Sequence, residues 1–174
     1  QGAATFHCGR RAGLAESCRR VVLIAGDGPE RGRLFAQTKQ VRLTGRIRML
    51  GHRDDVPAVM AAMDLFAVSS TGTETLTQTI PQAFALGKPV VATKVGSIPD
   101  IVLHGVTGLL VPPADPDCLA ESILWFRDHR EAGAALAQAG RELTQTRYSA
   151  EAAIERLQAL NGALKGATVA SAEA

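Results

Sequence analysis

Glu74 and Gln82 bracket the stretch E-T-L-T-Q-T-I-P-Q, which follows the hydroxyl-rich run S-S-T-G-T from Ser69 to Thr73. A carboxylate offers two strong acceptors, and an amide offers one acceptor and two donors. Both suit the diols of a sugar. Glu74 is a poor phosphate ligand because like charges repel, and Gln82 reads a hydroxyl pair without adding charge. Pro81 belongs in the first turn of a helix, where its missing N–H costs little and its fixed φ helps. The free N–H groups around Leu76, Thr77, Gln78 and Thr79 then face an anion. A phosphate cradle flanked by two diol readers is the outline of a nucleotide-sugar site. The same residues also fit a plainer arrangement, with Glu74 as a helix-capping charge and Gln82 as a surface amide.

These residues need a strand to deliver them and a helix to receive them. "VVLIAG" (Val21–Gly26) is β-branched and apolar on both faces, the pattern of a buried parallel strand. Further strands are expected over Arg46–Gly51, Asp64–Ser70, Lys88–Thr93 and Gly108–Pro113. Helical patterns lie between them at Pro29–Arg42, Asp55–Met63, Thr77–Leu86 and Pro99–Leu103. The alternation predicts an α/β fold, an open parallel sheet with helices on both faces. From Asp115 the pattern is helical throughout: Asp115–His129, Arg130–Thr144 and Ser149–Leu164. The last carries Ile154, Leu157, Leu160 and Leu164 in a stripe that predicts self-association or docking onto the sheet domain. Ala4–Arg10 is a candidate first strand, followed by a crossover close to the minimum length of about a dozen residues. The expected organisation is an irregular segment or incomplete first strand over 1–20, a nucleotide-sugar-binding Rossmann-like domain over 21–164, and a frayed tail over 165–174.

The chain has 174 residues, 46% apolar and 21% charged, a balance typical of globular domains. No apolar run approaches the roughly 18–20 residues of a membrane span. Cys8, Cys18 and Cys118 show no metal-ligand spacing, and the four histidines form no pair, so no metal is expected. Residues 1–53 carry 11 Lys+Arg against 3 Asp+Glu, whereas residues 54–174 carry 8 against 14. A basic first third suits phosphate, nucleic acid or an acidic partner domain. No aromatic residues interleave the arginines, which argues against nucleic acid. The first residue is Gln, consistent with a piece of a longer protein.

"ETLTQTIPQAFALGKPVVATKVGSIPDIVLHGVTGLLVPPAD" (Glu74–Asp115) closely resembles the nucleotide-sugar site of family 4 retaining glycosyltransferases with the GT-B fold. "LIAGDGPE" (Leu23–Glu30) resembles that family's GDGPE strand end, and Arg46–Ser70 resembles its "LG…DV…DLFVLPS" run. The resemblance extends over Val21–Leu164. It implies the donor-binding, C-terminal half of a hexosyltransferase using a nucleoside-diphosphate sugar, with no cofactor. It implies that Glu74 acts in catalysis and that Gln82 takes the place of the family's second Glu. It also implies that Gly26 and Gly28 let backbone approach the donor, that Gly51, His52 and Arg53 lie along the nucleobase, and that Arg10 or Arg53 reaches a phosphate. The implied partners are the donor and a missing N-terminal acceptor domain. The implied location is cytoplasmic, with any membrane contact made through that missing half.

Three features depart from the family pattern. The second Glu is Gln82, the second Gly of the "GG" turn is Ser97, and no Lys-Gly follows "CGRR" (Cys8–Arg11). An amide is neither a nucleophile nor a titrating acid, so a double displacement between two carboxylates does not fit. A front-face route does, with the diphosphate leaving and the acceptor attacking from the same side. A non-catalytic nucleotide or nucleotide-sugar binding module is the alternative. A GT-B-fold epimerase fits less well, since its acid–base residues have no counterpart here.

Overall fold

The computed structural model describes residues 21–40, 43, 45–72, 78–155 and 157–159. The chain divides into two compact units, with the boundary between Ala62 and Met63. The candidate first strand Ala4–Arg10 and the tail 165–174 lie outside the described residues.

In the smaller unit, β1 (Val22–Ala25) pairs in parallel with β2 (Ile47–Gly51). Helix α1 (Arg31–Gln40) connects them, and α2 (Val56–Ala61) follows. The register runs Val22 to Ile47 through Ile24 to Met49, then shifts so that Ala25 faces Gly51. Such a bulge re-aims the chain at the end of a strand. Helix α1 closes its last turns with Thr38, whose Oγ1 donates to Phe35 O at 2.8 Å. Lys39 Nζ lies 4.6 Å from the centre of the Phe35 ring. Helix α2 carries proline near its start and is anchored by buried Met60.

The expectation that Val21–Gly26 is buried on both faces is corrected here. Val21 is 49% exposed and Val22 53%. Among the described residues β1 has β2 as its only sheet partner. A two-stranded ribbon leaves one edge of each strand open, whatever the hydropathy of its side chains.

In the larger unit, β3 (Phe66–Val68), β4 (Val90–Thr93) and β5 (Leu109–Val111) form a parallel sheet with β4 in the middle. All four β4 residues are buried. Helices α3 (Thr79–Ala85) and α4 (Ile98–Ile101) make the crossovers, and α5 (Pro116–Asp128) and α6 (Arg130–Arg147) complete the unit. Ile80, Phe84, Val90, Val91, Ile98 and Val102 are fully buried. Val91, Leu109, Val111, Cys118 and Phe126 form one cluster under α5. Asp115 caps α5 by accepting from Cys118 N at 2.9 Å.

Helix α6 turns Gly133, Ala137, Gly140 and Thr144 inward. A β-carbon on Gly140 would stand 2.5 Å from Phe84 Cδ1, so only glycine lets α6 approach α3 this closely. Leu136, the first leucine of α6, is only half-buried beside the α5 cluster.

Beyond α6, residues 150–155 and 157–159 are helical, and Ser149 Oγ accepts from Ala152 N at 3.1 Å. Ile154 and Leu157 are 54% and 65% exposed, which corrects the expectation that this stripe docks back onto the sheet. The inward-facing seam of α6 ends at Thr144, and Ile154 and Leu157 face solvent instead. Leu160 and Leu164 lie outside the described residues. No helix among the described residues is long and apolar enough to cross a membrane.

Candidate functional site

In open α/β sheets, ligands bind beyond the carboxyl ends of the strands. In the smaller unit those ends are Ala25–Gly28 and Gly51–Arg53. Gly26 has φ +128° and Gly51 φ +70°, values that L side chains rarely adopt. Gly26 N donates to Gly51 O at 2.8 Å, so the two strand ends are tied together. Gly28 N donates to Asp27 Oδ1 at 2.9 Å. These two backbone donors are therefore engaged within the chain. A β-carbon at either glycine would meet no atom within 4 Å, so the space beside both is open.

The GHR segment has its own side-chain partners. His52 Nε2 stands 3.5 Å from Asp54 Oδ1, with both side chains largely exposed. Arg53 donates from Nε and Nη2 to the two oxygens of Asp55, at 2.7 and 2.6 Å. These bonds, above all, hold the Asp55 carboxyl below its ordinary value; slight desolvation opposes them and the guanidinium charge assists. The same bonds raise Arg53 further. Asp55 stands at the N-cap of α2 but makes no side-chain cap bond, because its carboxylate is spent on Arg53. A phosphate approaching Arg53 meets a guanidinium already paired in a bidentate fork.

In the larger unit, β3 ends towards Ser70 and β4 ends at Thr93. Thr93 is 3% exposed and donates from Oγ1 to Ser70 O at 2.6 Å. This bond fixes where the chain leaves β3 on its way to the Glu74 loop. Glu74, Leu76 and Thr77, like Arg10, lie outside the described residues. Gln78 has helical φ and ψ of −67° and −22° at the N-cap of α3, with no side-chain cap bond. Gln82 N donates to Gln78 O at 3.3 Å, which closes the first turn around Pro81. Residues four apart lie on one helix face. Gln78 and Gln82 are both exposed, whereas Ile80, Ala83 and Phe84 are buried. Two amides thus share the outer face of α3.

The departure at Ser97 has a simple backbone explanation. Gly96 carries the positive φ of +51°, and Ser97 sits at φ −83°, which any residue adopts.

Two contacts were not anticipated. Asp27 and Arg31 form an ion pair at 3.2 Å, detectable in principle from their opposite charges four residues apart. The Thr93–Ser70 bond spans 23 positions, and no local pattern announces it.

A family model for group 1 glycosyl transferases matches residues 12–129, about two thirds of the chain. The chain belongs to the group 1 glycosyl transferases. The match begins ahead of Val21 and ends just past α5. Among curated relatives of this family, the chain is 27% identical over 139 residues to an N-acetyl-alpha-D-glucosaminyl L-malate synthase of Bacillus anthracis, covering 80% of this chain and 36% of the relative. It is 32% identical over 129 residues to the lipopolysaccharide core biosynthesis glycosyltransferase LpsE of Rhizobium meliloti, covering 74% and 38%. Among solved structures, Anabaena Alr3699/HepE in complex with UDP-glucose aligns with a TM-score of 0.75 at 30% identity, covering 84% of this chain and 41% of that one. The chain therefore spans about two fifths of the length of these relatives. Its parallel strands, crossover helices and trailing helices are those of the Rossmann-like C-terminal domain of GT-B glycosyltransferases.

Proposed function

We propose that this chain is the donor-binding half of a family 4 retaining glycosyltransferase, acting on a nucleoside-diphosphate hexose. The observation that carries the reading is the likeness, over 84% of this chain, to Anabaena Alr3699/HepE solved with UDP-glucose. The ordered motifs from Leu23 to Asp115 support it.

On this reading Glu74 accepts hydroxyl protons of the transferred sugar and Gln82 meets the ribose. Gln82 binds and does not attack, since an amide has no titrating proton and no nucleophilic carboxylate oxygen. Retention then follows a front-face course: the glycosidic bond to the diphosphate breaks, the acceptor oxygen bonds to the same face of the sugar, and the acceptor's hydroxyl proton passes to the departing phosphate oxygen. The chain's part is to stabilise charge on the departing diphosphate through the turn at Leu76, Thr77 and Gln78 and through Arg10. Neither a cofactor nor a metal is required. The acceptor is bound by an N-terminal domain, so the 174-residue chain alone lacks transfer activity. The enzyme is cytoplasmic, with any membrane contact through that other half, and the exposed Ile154–Leu157 stripe favours self-association.

The test is a calorimetric panel of UDP, GDP, ADP and their hexose conjugates on the chain. Saturable binding of one nucleotide family is the expected result. No binding of any member refutes the proposal.

A further inference from the structure

We propose that Arg31 is the wall against which the base of the bound nucleoside diphosphate packs; the inference rests on the donor-binding reading above. Arg31 opens α1, directly after the GDGPE turn. Asp27 holds it: Oδ2 accepts from Arg31 Nη1 at 3.2 Å, while Oδ1 takes the Gly28 N–H at 2.9 Å. One carboxylate thus sets both the turn and the guanidinium. Nη2 and Nη1 stand 3.9 and 4.0 Å from where a β-carbon on Gly51 would lie. A planar cation is therefore laid beside backbone that carries no side chain, and the space beside Gly26 and Gly28 is open. All of this sits at the carboxyl ends of two parallel strands, where the fold places ligands.

A guanidinium presents a flat face that stacks on heteroaromatic rings. The Arg31 side chain is 51% exposed, so about half of its surface is open to a ligand. The neighbouring Asp27 decides between base and phosphate. Its carboxylate neutralises much of the cation and repels a diphosphate, whereas a neutral ring meets no such penalty. Arg53, on the adjacent strand end, is likewise tied to Asp55. These strand ends offer flat, charge-balanced surface rather than a free cation.

The experiment titrates the 174-residue chain, Arg31→Ala and Arg31→Lys with two probes: the tightest binder among UDP, GDP and ADP, and inorganic pyrophosphate, which has no base. Arg31 is half-exposed, so both variants keep the fold. Arg31→Ala is expected to weaken the nucleotide roughly tenfold, within the range of one lost base stack, and to leave pyrophosphate unchanged. Arg31→Lys, which keeps the charge but not the plane, is expected to fall with Arg31→Ala. Equal loss on both probes makes Arg31 a phosphate contact and overturns the inference. Unchanged nucleotide affinity in Arg31→Ala, or full rescue by lysine, overturns it too. If the unaltered chain binds no nucleotide, the donor-binding reading itself has failed, and this inference falls with it.

Discussion

Thr93 Oγ1 donates to Ser70 O at 2.6 Å, joining the carboxyl end of the central strand to the end of its neighbour. The bond lies where the chain departs for the loop that holds Glu74. It holds Ser70, where the chain leaves β3, against the sheet. Thr93→Val keeps the side-chain shape and removes the donor. The expected loss is about 1 kcal/mol of stability, read from a urea melt, together with weaker nucleotide-sugar binding. Thr93→Ser retains the hydroxyl and should recover both. Unaltered stability and binding in Thr93→Val would show that the tether has no role.

Gly140 marks the closest approach of α6 to α3. Adding a methyl group there puts it 2.5 Å from the buried Phe84 ring. Overpacking of this kind costs about 1–3 kcal/mol. Gly140→Ala should lower the unfolding free energy by that amount, read from a urea melt. Combining it with Phe84→Leu should cost less than the sum of the two single changes, because the smaller side chain admits the methyl. Strict additivity would place the strain elsewhere.

Asp55 titrates low because Arg53 donates two hydrogen bonds to its charged form. Its folded pKa lies below its unfolded one. The ion pair's contribution is therefore complete above the ordinary carboxylate value and disappears as pH falls through the lowered one. An NMR titration of the Asp55 carboxyl should show a midpoint below about 3.9, the unperturbed value. Arg53→Ala should return it there. An Asp55 midpoint unmoved by Arg53→Ala would mean that the pair does not persist in solution.

Much of this architecture is legible in the residues themselves. Lys88–Thr93 reads as a strand, and β4 forms over Val90–Thr93. Pro81 reads as a first-turn residue and lies in the first turn of α3. The helix expected from Ser149 is capped there, its hydroxyl accepting from Ala152 N. What is not legible depends on partners distant in sequence. The seam of α6 is Gly133, Ala137, Gly140 and Thr144, not its leucines. Small residues carry little hydropathy; their value comes from Phe84 and Phe126 on other helices, which fill the space they leave. Val22 is as β-branched as Val90, yet one is exposed and the other buried, because burial depends on what neighbours the strand has. At the site, the places of Gly26 and Gly51 at strand ends and of Gln82 on α3 follow from the expected strand and helix bounds. The pairing of Arg53 with Asp55 does not, since it competes with the phosphate role that the residue type alone suggests.

The most direct test of the donor-binding account is one matched titration: a nucleoside diphosphate and its glucose conjugate on the unaltered chain, Glu74→Ala, Gln82→Ala and Gln82→Glu. Losing a charged acceptor from a bound hydroxyl costs about 1.5–3 kcal/mol, roughly tenfold to over a hundredfold in affinity. Glu74→Ala should lose that much for the glucose conjugate and almost nothing for the diphosphate. Gln82→Ala should weaken both by one factor, and Gln82→Glu should stay within severalfold of the unaltered chain. Equal weakening of both ligands by Glu74→Ala would contradict the assignment of Glu74 to the sugar, and with it the account of how this domain holds its donor.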